Sequence, residues 1–129
     1  MAYVDIVTVL AVLQFIVFGF QVGGARGKYG VKAPATTGNE IFERLFRIQQ
    51  NTLELLVGFI PGLYLFSRYF SPLWAAALGV IYLVGRQIYA GAYARDPSKR
   101  SLGYGLSFLP MAALLAGGLI GAVWHLFRS

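Results

Sequence analysis

The chain has 129 residues, of which 57% are hydrophobic and only 12% charged, and its formal net charge is +6. Apolar sequence in that proportion, gathered in four long runs, excludes a water-soluble domain and points to an all-α protein that crosses a membrane several times. It has no cysteine, which excludes disulfides, thiolate metal sites and a cysteine nucleophile. The basic excess reads as a topology signal and as contact with anionic lipid headgroups, not as a nucleic-acid surface, because no basic face interleaved with aromatics is present.

The first predicted helix covers about residues 3–24, apolar apart from Asp5, Thr8, Gln14 and Gln21. Asp5 stands where a signal peptide would carry basic residues, so this segment reads as a retained membrane helix. Gly23, Gly24 and Gly27 are expected to end it, in a loop that holds Arg26, Lys28 and Lys32. The second helix covers about residues 40–68 with Asn39 as N-cap and Pro61 inside. A short turn with Pro72 at the next helix start implies an antiparallel neighbour. The third helix covers about residues 71–95, and Asp96 and Pro97 end it. The fourth covers about residues 102–126, rich in Gly and Ala, with Pro110 inside and His125 at its end. His125 is the one histidine of the chain and, beside Trp124, reads as an interfacial residue. The whole is expected to be one domain, residues 1–129, folded as a four-helix antiparallel bundle.

Two faces break the apolar pattern. In the second helix the apolar run, residues 55–66, is only 12 residues long. It spans about 18 Å, whereas a bilayer core is about 30 Å thick. Spanning therefore draws Asn51 and Glu54 into the membrane, and Arg47, Asn51 and Glu54 share one face at i, i+4 and i+7. In the third helix Tyr82, Arg86, Tyr89 and Tyr93 form one stripe. Arg86 lies too deep to snorkel and needs a partner; Glu54 is the acid expected at its depth, as an ion pair made directly or through a ligand. Cations cluster in the first and third loops, the latter with Arg95, Lys99 and Arg100. The positive-inside rule puts both loops in the cytoplasm and the termini on the opposite side, and the compact chain with short loops suits a bacterial inner membrane.

The inward polar set is Arg47, Arg86 and Arg100, with Arg26 nearby, against Glu54 alone, while Gln49, Asn51, Tyr89 and Tyr93 add neutral hydrogen bonds. Arginine forks match carboxylates, and Glu54 suits an ammonium, so the set fits a polyanionic zwitterion with one amine. One histidine and scattered acids compose no metal site and no Ser-His-Asp arrangement.

Two segments carry a resemblance: Phe42-Glu-Arg-Leu-Phe-Arg-Ile-Gln-Gln-Asn-Thr-Leu-Glu54 and Gly85-Arg-Gln-Ile-Tyr-Ala-Gly-Ala-Tyr-Ala-Arg-Asp-Pro-Ser-Lys-Arg100. Together they resemble the MAPEG family, the membrane-associated proteins of eicosanoid and glutathione metabolism, and most of all its type-3 microsomal glutathione transferase branch. The resemblance implies a homotrimer of four-helix subunits that binds glutathione as co-substrate between neighbours, without a metal. Arg47, Asn51, Glu54, Tyr89, Tyr93 and Arg100 are implied as contacts from one subunit, and Arg26 and Gln49 as contacts from the next. Arg100 is implied as the catalytic residue, holding the sulfur as thiolate. The activity implied is conjugation of glutathione to apolar electrophiles from the membrane. Glutathione-dependent peroxidase activity on lipid hydroperoxides stands beside it. The alternative within the same fold is a non-catalytic lipid-binding or lipid-presenting protein. This chain has Gln49 where many transferase members have histidine. It has Arg26-Gly27 where the leukotriene synthase has two arginines, and Leu55 where that enzyme has an aromatic.

Overall fold

The computed structural model describes residues 1–128, and among them every regular element is helical. Four long helices follow in order: α1 (Ala2–Tyr29), α2 (Glu40–Tyr69), α3 (Pro72–Arg95) and α4 (Ser101–Arg128), with a 3-10 turn, Pro97–Lys99, before α4. α1, α3 and α4 are long and apolar enough to cross a membrane; α2 is as long but lacks the composition.

The ends of the helices are set by local chemistry. Asn39 Oδ1 accepts from the Phe42 amide (3.0 Å), and Glu43 Oε2 accepts in return from the Gly38 amide (3.1 Å), which closes the start of α2 on both sides. Ser71 accepts from the Trp74 amide at 3.3 Å and Pro72 occupies the first turn of α3. Asp96 accepts from both the amide and the hydroxyl of Ser98, at 3.1 and 2.8 Å, and so shapes the turn that leads to Arg100.

The expected end of the first helix is corrected. α1 runs on through Gly23, Gly24 and Gly27 to Tyr29, and stops at Gly30, whose φ of 69° is the left-handed conformation that a helix cap requires. Isolated glycines cost a helix only about 1 kcal/mol each. The buried Val22 and Ala25, packed with Val31 and Phe42, hold this last stretch in place. Arg26 is therefore a residue of the last turn of α1, not of a loop. α4 likewise continues to Arg128, two residues past the expected end.

Contacts give the topology. Tyr64 of α2 donates to Asp5 near the start of α1 (2.9 Å), while Gln49 packs against Gly19, so α1 and α2 are antiparallel. Gly85 and Gly103 place Leu106 and Tyr89 against each other's helices, so α3 and α4 are antiparallel too. Gly58, Gly62, Gly117 and Gly121 step along α2 and α4 in the same direction, which makes these two parallel. The result is an up-down-up-down bundle. Its main core joins Val4, Val7, Phe59, Leu63, Ala75 and Leu114 with Tyr82, whose ring stacks on Phe59 at 3.8 Å.

Candidate functional site

The site lies at the loop end of the bundle, where α2, α3 and the start of α4 meet. α4 comes exceptionally close to α3 here. A Cβ on Gly103 would lie 2.3 Å from the Tyr89 amide nitrogen, and one on Gly85 would lie 2.6 Å from the Leu106 carbonyl carbon. On the other side, Arg44 ties the start of α2 to the end of α3 by donating to the carbonyls of Ala94 and Arg95, at 3.3 and 3.2 Å. Between these fixed points is a cavity of ≈ 660 Å³, lined by Arg47 and Asn51 of α2, Tyr89 and Tyr93 of α3, Arg100, and Ser101, Tyr104 and Gly105 of α4.

Five residues nominated from the sequence, Arg47, Asn51, Tyr89, Tyr93 and Arg100, thus come together in one cavity. Tyr89 and Tyr93 stack at 5.5 Å, and Tyr104 packs on Tyr89 at 6.4 Å, so three phenol rings line the cavity wall. Arg100 donates one hydrogen bond, to the Pro97 carbonyl at 3.0 Å, and is otherwise exposed at the rim. Glu54 stands outside the lining and pairs with Arg47 at 3.8 Å; both side chains are 55% exposed. Gln49 turns toward Gly19 of α1. Arg26 lies over the Phe42 ring at 4.8 Å and donates to the Ala35 carbonyl at 2.8 Å. Neither Gln49 nor Arg26 lines this cavity.

Of the two forms expected for the Arg86–Glu54 pair, the direct one is not made: Glu54 pairs with Arg47 instead. Arg86 is fully buried, and its partners are neutral. Its Nη1 donates to Asn51 Oδ1 at 2.8 Å and to Thr52 Oγ1 at 3.4 Å, its Nε donates to Ser107 Oγ at 3.1 Å, and its guanidinium lies 4.2 Å over the Tyr89 ring. Among the described residues Nη2 has no hydrogen-bond partner. The reason is rotational. Seven residues are about two turns, so Glu54 emerges in line with Arg47, while Asn51 and Thr52 turn toward the bundle interior.

Thr52, Ser107 and Tyr104 were not singled out in the sequence. The two hydroxyls already donate to their own helices, Thr52 to the Ile48 carbonyl at 2.8 Å and Ser107 to the Gly103 carbonyl at 2.6 Å. Their oxygens are left as acceptors for Arg86.

The cavity is therefore electropositive, walled by aromatic rings, and open to solvent at an arginine rim. The profile of the MAPEG family matches residues 4–120 of the chain. The chain belongs to the MAPEG family. Three relatives extend the comparison. The uncharacterized protein sll1147 of Synechocystis is 47% identical over 121 residues, covering 94% of this chain and 88% of its own. Microsomal glutathione S-transferase 2 of Homo sapiens is 41% identical over 115 residues, covering 89% of this chain and 78% of its own. Leukotriene C4 synthase of Bos taurus is 34% identical over 119 residues, with 92% and 79% covered. Family membership and three membrane-competent helices together make this an integral membrane protein.

Proposed function

We propose that this MAPEG protein is a membrane-bound glutathione transferase. The observation that carries the reading is the cavity itself: Arg47 and Arg100 flank Asn51 and three tyrosines, with Arg86 buried behind them and no acid in the lining. Glutathione is a peptide with two carboxylates, one ammonium and one thiol. Its carboxylates suit the guanidinium groups, and its ammonium suits Glu54 beside Arg47. Relatives named as glutathione transferases support the same ligand.

In this mechanism Arg100 stabilises the charge that develops on sulfur. A free thiol has a pKa of about 8.5, and an adjacent guanidinium favours the thiolate. The S–H proton leaves to solvent. The thiolate then forms a C–S bond to an apolar electrophile from the bilayer, and the leaving group departs with the displaced electron pair. Arginine stays charged throughout, so it acts electrostatically and not as a base. The same thiolate would attack the outer oxygen of a lipid hydroperoxide, breaking the O–O bond and releasing the lipid alkoxide, which takes a proton from solvent. A second glutathione then reduces the resulting sulfenic acid to glutathione disulfide and water, and this is the peroxidase side activity.

Arg26 and Gln49 fit as contacts supplied by a second copy in a homotrimer, since both lie outside the cavity of their own chain. The orientation proposed has the first and third loops in the cytoplasm of a bacterial cell, with glutathione entering from that side.

The test is a glutathione titration of detergent-solubilised protein followed by the ultraviolet absorbance of thiolate. A saturable thiolate signal at neutral pH is expected. In Arg100→Ala conjugation should fall about 100-fold, the loss typical of one charge-stabilising donor, with a much smaller change in glutathione affinity. Binding without thiolate would point to a binding role or a substrate-assisted reaction, and no binding would overturn the glutathione reading in favour of a lipid-presenting or structural protein.

A further inference from the structure

Among the described residues Arg86 is a buried cation without a buried anion. Its three hydrogen bonds and its ring contact are all with neutral groups, and Nη2 is left without an acceptor. Two of those groups, Asn51 and Tyr89, are also walls of the cavity. Asn51 therefore has one end in the interior and the other toward the ligand space.

A guanidinium has donors only. The Asn51 atom that meets Arg86 Nη1 at 2.8 Å must be the carbonyl oxygen, because an amide nitrogen there would oppose donor to donor. This fixes the amide the other way round at its far end. The NH₂ group is what Asn51 turns to the cavity, and it cannot invert while Arg86 stays in place.

We propose that Arg86 is a positioning residue that sets the polarity of Asn51, so that the cavity reads an anionic oxygen of its ligand at that point and rejects a donor. The proposal rests on the glutathione reading for the natural ligand, where the oxygen would be a carboxylate or peptide carbonyl. Its physical content is wider, namely acceptor recognition by a clamped amide.

The decisive variant is Asn51→Asp. It keeps the shape and an oxygen for Arg86 but replaces the NH₂ group with a second, charged oxygen. Two readouts should move in opposite directions. The melting temperature in detergent should rise, because the buried guanidinium gains a carboxylate partner. Binding of an anionic ligand should weaken by about tenfold or more, the worth of a hydrogen bond to a charged group plus the new repulsion. A residue with only a structural role would move both together. As a second variant, Arg86→Lys keeps a donor-only partner for Asn51 and should hold affinity within about threefold.

Two probes, glutathione and glutarate, a thiol-free dicarboxylate, are titrated in parallel by quenching of tyrosine fluorescence. Loss of both in Asn51→Asp with a raised melting temperature supports the proposal. If wild type binds glutarate but not glutathione, and Asn51→Asp loses it while gaining stability, the glutathione reading falls and the proposal stands. Unchanged binding in Asn51→Asp overturns it. So does a lowered melting temperature or failure to fold, and so does a wild-type protein that binds neither probe.

Discussion

The close approach of α3 and α4 at Gly103 is where packing and chemistry meet, and Gly103→Ala tests it. An added Cβ would sit 2.3 Å from the Tyr89 nitrogen, 2.5 Å from its Cα and 2.8 Å from its Cβ. Two of these atoms are backbone, so no side chain can turn aside. Ordinary contact begins near 3.4 Å, so the start of α4 must withdraw from α3 by about 1 Å. Overpacking on this scale typically costs about 1–3 kcal/mol. The same movement carries Ser101, Tyr104 and, through the preceding turn, Arg100 away from Tyr89. A misplacement of about 1 Å can lower a positioned reaction about 100-fold. Gly103→Ala is therefore expected to lower the melting temperature and to reduce conjugation of glutathione to a chromogenic chloronitrobenzene by about 100-fold. Gly91→Ala is the control, since nothing lies within 4 Å of the added carbon. It should leave both quantities near wild type. Wild-type activity in Gly103→Ala would refute the idea that this contact positions the site.

Glu54→Gln should weaken glutathione binding about tenfold, as measured by titration, through loss of a charged partner for the ammonium. Its melting temperature should stay close to wild type, because the Arg47 pair is half exposed and such pairs contribute about 0–1 kcal/mol; a large loss would mean that Glu54 also supports the core. Ser107→Ala removes the acceptor of Arg86 Nε in a fully buried position and should cost about 1–3 kcal/mol in unfolding experiments in detergent. Ser98 hydrogen bonds hold the Asp96 carboxyl below the usual carboxylate range. A depressed value in the folded protein means that this contribution is complete above the unfolded carboxylate pKa and is lost only as pH falls through the lower folded one. Activity between about pH 5 and 8 should therefore show no inflection from Asp96, and Asp96→Asn should leave the shape of that profile unchanged.

The helices were legible because long apolar runs and strong caps such as Asn39 and Ser71 with Pro72 leave little choice. The end of α1 was not. Gly23, Gly24 and Gly27 carry the composition of a breaker, yet each has open space around it and none is forced out of the helix. Only Gly30 adopts the conformation that ends it, and its neighbours Val31 and Phe42 supply the packing that a local pattern does not reveal. At the site, the spacing of Arg47 with Asn51 and of Tyr89 with Tyr93 was enough to bring these residues together, because periodicity fixes a face. It also showed that Arg86 must have a partner at depth. It did not identify that partner, because charge stands out in a sequence and neutral oxygens do not. Thr52 and Ser107 look like ordinary helix hydroxyls, and only the crossing of α2, α3 and α4 turns them toward one guanidinium.

The composition of α2 also bears on how the chain enters a bilayer. α1, α3 and α4 are each long and apolar enough to cross a membrane, but α2 lacks that composition. Only Phe70 and Ser71 separate α2 from α3. The two helices can therefore enter as a hairpin, with α3 supplying the apolar surface that α2 lacks. Arg86 of α3 and Asn51 and Thr52 of α2 would then cross the headgroup region already hydrogen-bonded to one another. In that order of events the hydrogen bonds behind the cavity would hide a cation and two polar side chains from lipid before α4 arrives with Ser107.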